Sequence, residues 1–160
     1  MTLAAKKKPR RKTKEEFLAS FLSPSPAKTT TESTAERIVV AIGIPPSVLL
    51  PNQSNNHHWA QCGRARKAQR QEVGMLVFVE ISRVGFARFP WPGAIVEPHC
   101  FYKNRRRPDE DAICFSLKGA RDGMQDAGLV ENDRTISTAI PVFNIDKANP
   151  RIELWITKKG

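Results

Sequence analysis

Apolar residues recur along this chain in two different periods, and the switches between them outline its elements. Arg37 to Ile44, R-I-V-V-A-I-G-I, is a β-branched run closed by Pro45-Pro46, which predicts a first strand. From about Trp59 to Val84 the spacing changes to three and four residues. Met75, Leu76, Phe78 and Val79 supply apolar contacts there, and Arg64, Arg66, Lys67, Arg70 and Arg83 give a basic side, so a helix is expected with Gly74 as its weak point. A Pro/Gly-rich turn at Phe89 to Gly93 leads to a strand over about Ala94 to Lys103. A second helix is expected from about Glu110 to Asp126, ending near Gly128 and burying Ile113, Phe115, Leu117 and Met124. Thr135 to Phe143 and Arg151 to Thr157 then read as a closing strand pair. The order βαβαββ predicts an α/β (α+β) fold: one domain over residues 37–160, a mixed sheet with helices packed against it.

Residues 1–36 lack either period. They carry K-K-K-P-R-R-K, a short amphipathic piece around Phe17, Leu18, Phe21 and Leu22, and a Ser/Pro/Thr stretch. So little apolar surface does not offset the entropy of ordering, and a mostly disordered tail is expected. Its basic cluster suits non-specific, salt-dependent DNA contacts or resembles a nuclear localisation signal; a solubilising or partner-docking extension is the plainer alternative.

The formal net charge of +10 points to a polyanionic partner without separating DNA from RNA or an acidic membrane. No apolar run approaches a membrane span and no signal-peptide core follows the charged N-terminus, so a soluble, cytoplasmic protein is expected. Cys62, Cys100 and Cys114 lack C-x-x-C spacing and are expected as reduced thiols. A zinc site from His57, His58, Cys62, His99 and Cys100 is a weaker alternative, because neither ligand pair has finger spacing.

The densest chemistry lies between Asn104 and Asp133, N-R-R-R-P-D-E-D-A-I-C-F-S-L-K-G-A-R-D-G-M-Q-D-A-G-L-V-E-N-D. Asp109 and Asp111, one residue apart at a helix entrance, can converge on one hard cation, and Asp133 is a third carboxylate after the helix. Three gathered acids call for Mg²⁺ or Mn²⁺ to neutralise them, and such a cation is suited to phosphoryl chemistry. Lys103 precedes Arg105, Arg106 and Arg107, whose guanidinium forks match phosphate oxygens. Lys118, seven residues after Asp111, is expected on the same helical face, where its charge would stabilise a phosphoryl transition state or leaving alkoxide. Asp122 falls near that azimuth as a possible outer carboxylate orienting Lys118. Plainer readings exist: aspartates before a helix often cap it, and Lys118 and Asp122 suit an ordinary surface ion pair.

His58-Trp59 suits either stacking on an unpaired base or, as the preferred reading, anchoring a loop to the core. Asn52, Asn55 and Asn56 sit in a polar loop that can contact DNA or serve only as a loop.

In order and spacing these segments resemble the RusA-type Holliday junction resolvases, including their phage-borne members, from Ile38 to the C-terminus. The segments are the strand into Pro45-Pro46-Ser47, His58-Trp59 with its basic helix, R-R-R-P-D-E-D, L-K-G-A-R-D-G-M-Q-D-A-G-L-V-E-N-D and the terminal strands. The resemblance implies a Mg²⁺-dependent homodimer that cuts four-way DNA junctions by symmetrical paired nicks. It puts the essential carboxylates on Asp109, Asp111 and Asp133 and the essential lysine on Lys118. Two positions depart from the pattern: Ala112 stands where the family has asparagine, and Phe115 where its best-known member has the lysine. A non-catalytic branched-DNA-binding protein, and a metal-dependent nuclease for flaps or RNA, are the competing expectations.

Overall fold

Strand β1 (Arg37–Ile42), helix α1 (Trp59–Val84), strand β2 (Ala94–Tyr102), helices α2 (Glu110–Ser116) and α3 (Lys118–Asp126), and strands β3 (Ile136–Thr138), β4 (Val142–Ile145) and β5 (Arg151–Lys158) follow one another along the chain. The structure, a computed structural model, describes residues 36–51 and 58–160. The expected basic tail, apart from Glu36, lies outside the described residues, as do the polar loop bearing Asn52, Asn55 and Asn56 and the candidate zinc ligand His57.

The described strands form one five-stranded mixed sheet, so the expected α+β architecture is present. Its pairing differs from the expected closing strand pair. β5 lies between β1 and β2, antiparallel to both, while β3 and β4 run parallel to β2 on its other side. Pro141, which cannot donate to a ladder, separates β3 from β4, and each then borders its own stretch of β2. The central place of β5 follows from its inward residues: Ile152, Leu154 and Ile156 are fully buried, with Ile38, Val40, Val96 and Cys100 on the neighbouring strands. Glu153 alternates to the opposite face and is nonetheless buried. Its carboxylate accepts from Arg151 at 2.7 Å and from the Trp155 indole at 3.2 Å, and Arg151 continues to Asp146.

Helix α1 has the expected span but buries a different face. Val73, Val77 and Ile81 enter the core with Gln69, whereas Met75, Phe78 and Val79 are exposed. Residues 73–81, V-G-M-L-V-F-V-E-I, are apolar nearly all round, so periodicity does not choose a side. Backbone contact chooses it: Gly74 of α1 meets Gly123 of α3, and a Cβ on Gly119 would sit 2.6 Å from the Arg66 carbonyl oxygen. The Gln69 side chain completes the seam by accepting the Ala120 amide at 3.1 Å.

The expected single helix over Glu110–Asp126 is two. It breaks at Leu117, with φ −90° and ψ 10°. The Ser116 hydroxyl donates to the Ile113 carbonyl at 2.8 Å, which also accepts the Leu117 amide at 3.2 Å, and such an added local bond tends to bend helices. Ile113, Leu117 and Met124 are buried as expected, but Phe115 is about half exposed because it lies on the opposite side of α2 from Ile113.

Candidate metal centre and nucleic-acid interface

β2 ends at Tyr102 and the chain crosses to α2 through an irregular, exposed segment from Lys103 to Asp109. Within it the Asn104 side chain accepts the Arg106 amide at 2.9 Å, a local turn. The Arg107 guanidinium lies 3.6 Å from the centroid of the Phe143 ring on β4. Lys103, Arg105 and Arg106 are exposed.

Asp109 occupies the N-cap position of α2, yet its carboxylate makes no capping hydrogen bond; its backbone carbonyl accepts from Ile113 at 3.1 Å. The plain capping explanation for this aspartate therefore does not describe the structure. Asp109 and Asp111 are both exposed and line one depression of about 420 Å³ with Arg107, Pro108 and Glu110. Burial first, and then the neighbouring Asp111 charge, push the Cys114 thiol up.

The remaining expected site residues are placed elsewhere. Asp133 opens a short 3₁₀ turn (Asp133–Thr135) capped by Asn132, and its backbone carbonyl accepts from Arg121 of α3 at 3.3 Å. Among the described residues no three His, Cys, Asp or Glu side chains gather at metal-holding distance, so Asp109, Asp111 and Asp133 do not form one cluster. Lys118 is exposed and begins α3, across Leu117 from the helix that carries Asp111. Asp122 lines a groove of about 460 Å³ between α1 and α3 with Arg66, Lys67, Arg70 and Asp126, which shares no lining residue with the Asp109 depression.

That groove holds most of the expected basic face of α1. Arg70 is bound in bidentate fashion by Asp126, through Nη2 at 2.7 Å and through Nε. The Arg70 guanidinium holds the Asp126 carboxyl below the usual carboxylate range. Arg64 and Lys67 are exposed, and Arg66 is partly buried.

Trp59 is 80 % exposed at the start of α1, which overturns its expected role as a core anchor. Beside it the His58 Nδ1 accepts the Ala60 amide at 3.2 Å, so the histidine serves as the helix cap. The zinc alternative is not assembled among the described residues: His99 and Cys100 are adjacent in β2 and point to opposite faces of the sheet, and Cys100 is a buried free thiol pushed up to about 12 by burial.

Phe143 and Arg121 are the contacts that sequence reasoning missed. Neither has a local signature, since each acts on a residue brought near only by the fold.

Comparison with protein-family models and with curated proteins finds no match to this chain.

Proposed function

We propose that the protein is a Mg²⁺-dependent, structure-selective endodeoxyribonuclease that resolves four-way DNA junctions by symmetrical paired nicks. One observation carries this reading. Asp109 stands at the cap of α2 without capping it and shares an exposed depression with Asp111, directly behind three arginines. Two carboxylates with free oxygen atoms fit Mg²⁺ or Mn²⁺, since Mg²⁺ commonly takes one or two carboxylates and completes its shell with water and substrate phosphate. Such a cation, when bound, supplies Lewis-acid charge to phosphoryl transfer and a nucleophile at neutral pH.

Asp109 and Asp111 hold the cation in this scheme, with Asp133 as the further carboxylate implied by the resemblance. Lys103, Arg105 and Arg106 bind the flanking phosphates, and Arg64, Arg66 and Lys67 of α1 bind another stretch of backbone, while Arg70 is held by Asp126. Lys118 supplies positive charge near the cut phosphate. Two symmetrical nicks call for two sites related by a two-fold axis, hence a homodimer. The exposed side chains of Met75, Phe78 and Val79 on α1 offer an apolar face for that contact. Among the described residues no helix is long and apolar enough to cross a membrane.

A second reading, a non-catalytic branched-DNA-binding protein, is favoured by the break at Leu117, which takes Lys118 off the helix that carries Asp111. One experiment separates the two: cleavage of a labelled four-way junction beside matched linear duplex, with Mg²⁺, with EDTA, and with Asp109→Asn protein. Paired symmetrical nicks on the junction, lost with EDTA and in the variant while junction binding is kept, support the resolvase. Tight binding without nicks in Mg²⁺ or Mn²⁺ supports the second reading, and preferred cutting of flaps or RNA replaces the substrate.

A further inference from the structure

The loop that delivers Asp109 has no regular structure of its own, so its shape depends on a few side-chain contacts. One is the turn between Asn104 and Arg106, which constrains only neighbours. The other reaches across the fold. Arg107, two residues before Asp109, lays its guanidinium 3.6 Å from the Phe143 ring centroid. Phe143 is itself held: it pairs in register with Cys100 of β2, lies 6.2 Å from the Tyr102 ring, and packs against the core. Arg107 also lines the same depression as Asp109 and Asp111. A guanidinium stacked on an aromatic face has a defined plane and position, which a solvated arginine lacks.

We infer that Phe143 is a positioning residue of the candidate metal centre, fixing Arg107 and through it the place of Asp109 beside Asp111. This rests on the proposed metal-dependent function. It changes the role of Arg107 from a phosphate contact to a strut between β4 and the loop. Phe143 touches neither metal nor DNA in this scheme.

The test uses full-length protein and two readouts besides cleavage: Mn²⁺ binding by calorimetry, and junction affinity in EDTA by fluorescence anisotropy. Phe143→Leu keeps an apolar residue and removes the ring. Supporting residues around a metal commonly account for about 10–100-fold in affinity or activity, so Phe143→Leu is expected to weaken Mn²⁺ binding by about 10-fold while metal-free junction affinity stays within about twofold. Phe143→Tyr, which keeps the aromatic face, restores Mn²⁺ binding. Arg107→Gln sharpens the test and serves where Phe143→Leu does not fold. Removing a cation near the site tightens Mn²⁺ binding by charge alone, whereas loss of the strut weakens it.

Unchanged Mn²⁺ binding in Phe143→Leu, tighter binding in Arg107→Gln, or a loss of metal-free junction affinity equal to the loss of metal binding overturns the inference. Wild-type protein that binds Mn²⁺ in a Phe143-dependent way but cuts no nucleic acid leaves the positioning role standing and sinks the nuclease reading. Wild-type protein that binds no Mn²⁺ sinks both.

Discussion

The seam between α1 and α3 and the loop entering α2 are held by different physical means. At the seam, backbone meets backbone: Gly74 lies against Gly123, Gly119 lies against the Arg66 carbonyl, and the buried Gln69 side chain accepts the Ala120 amide. No side chain can move aside to admit more volume there. In the loop, exposed arginines and aspartates are held by one local turn and one stacked guanidinium, and the Asp109 carboxylate is left without a capping bond. The seam therefore sets where α3 lies with little tolerance, while the loop keeps polar groups open for a ligand. Residues that carry stability and residues suited to chemistry are segregated, and substitutions in the two regions should fail differently.

The largest effect is expected at the seam. Gly123→Ala places a Cβ against the Arg70 carbonyl oxygen and the Gly74 amide, so the helices must part. Overpacking of this kind costs about 1–3 kcal/mol, and chemical denaturation should show at least that loss. Asp109→Asn in the loop should stay within about 1 kcal/mol of the wild type, the scale of a charge at a helix N-terminus. If Asp109→Asn destabilises as much as Gly123→Ala, Asp109 is structural and the segregation breaks down.

This difference also governs what the sequence reveals. The extents of α1 and β2 are legible because helix and strand periods change at Pro/Gly turns, and the chemistry of R-R-R-P-D-E-D is legible because its residue types are adjacent. The buried face of α1 is not legible: residues 73–81 are apolar nearly all round, and a glycine more than forty residues later selects the face. The break at Leu117, where the Ser116 hydroxyl also donates to the Ile113 carbonyl, interrupts a pattern that otherwise continues as helix. Placement of β5 between β1 and β2 is likewise a long-range choice, although its buried Ile152, Leu154 and Ile156 suit a central strand.

A second comparison is between two tryptophans, one buried and one open. Trp91, next to the sheet, is fully buried, whereas Trp59 at the helix start is almost free of the protein. Trp59→Ala should leave the unfolding midpoint unchanged. If the open indole stacks on an unpaired base, the same variant loses about 1–3 kcal/mol of junction affinity with a smaller loss on linear duplex. Equal losses on both substrates would assign Trp59 to general backbone contact.

The smallest effect tests whether the groove beside the seam belongs to the DNA interface. Asp126 holds Arg70 in a bidentate pair about half exposed on both sides, so the pair contributes little to stability and salt screens it. Its carboxyl is depressed below the ordinary 3.8 by Arg70. A depressed carboxylate contributes stability above its unfolded value and loses it as pH falls through the folded one, so Asp126→Asn should flatten the stability curve on the acid side only. The same substitution frees Arg70 and removes a negative charge from a surface expected to meet phosphate. Junction binding should then tighten, most at low salt, and the slope of log affinity against log salt should steepen by about 0.9 if Arg70 gains one phosphate. An unchanged slope would mean that DNA does not enter the α1–α3 groove. In that case Asp126 neutralises Arg70 for the sake of the helix seam alone, and the basic surface used for binding is confined to Lys103, Arg105 and Arg106 in the loop.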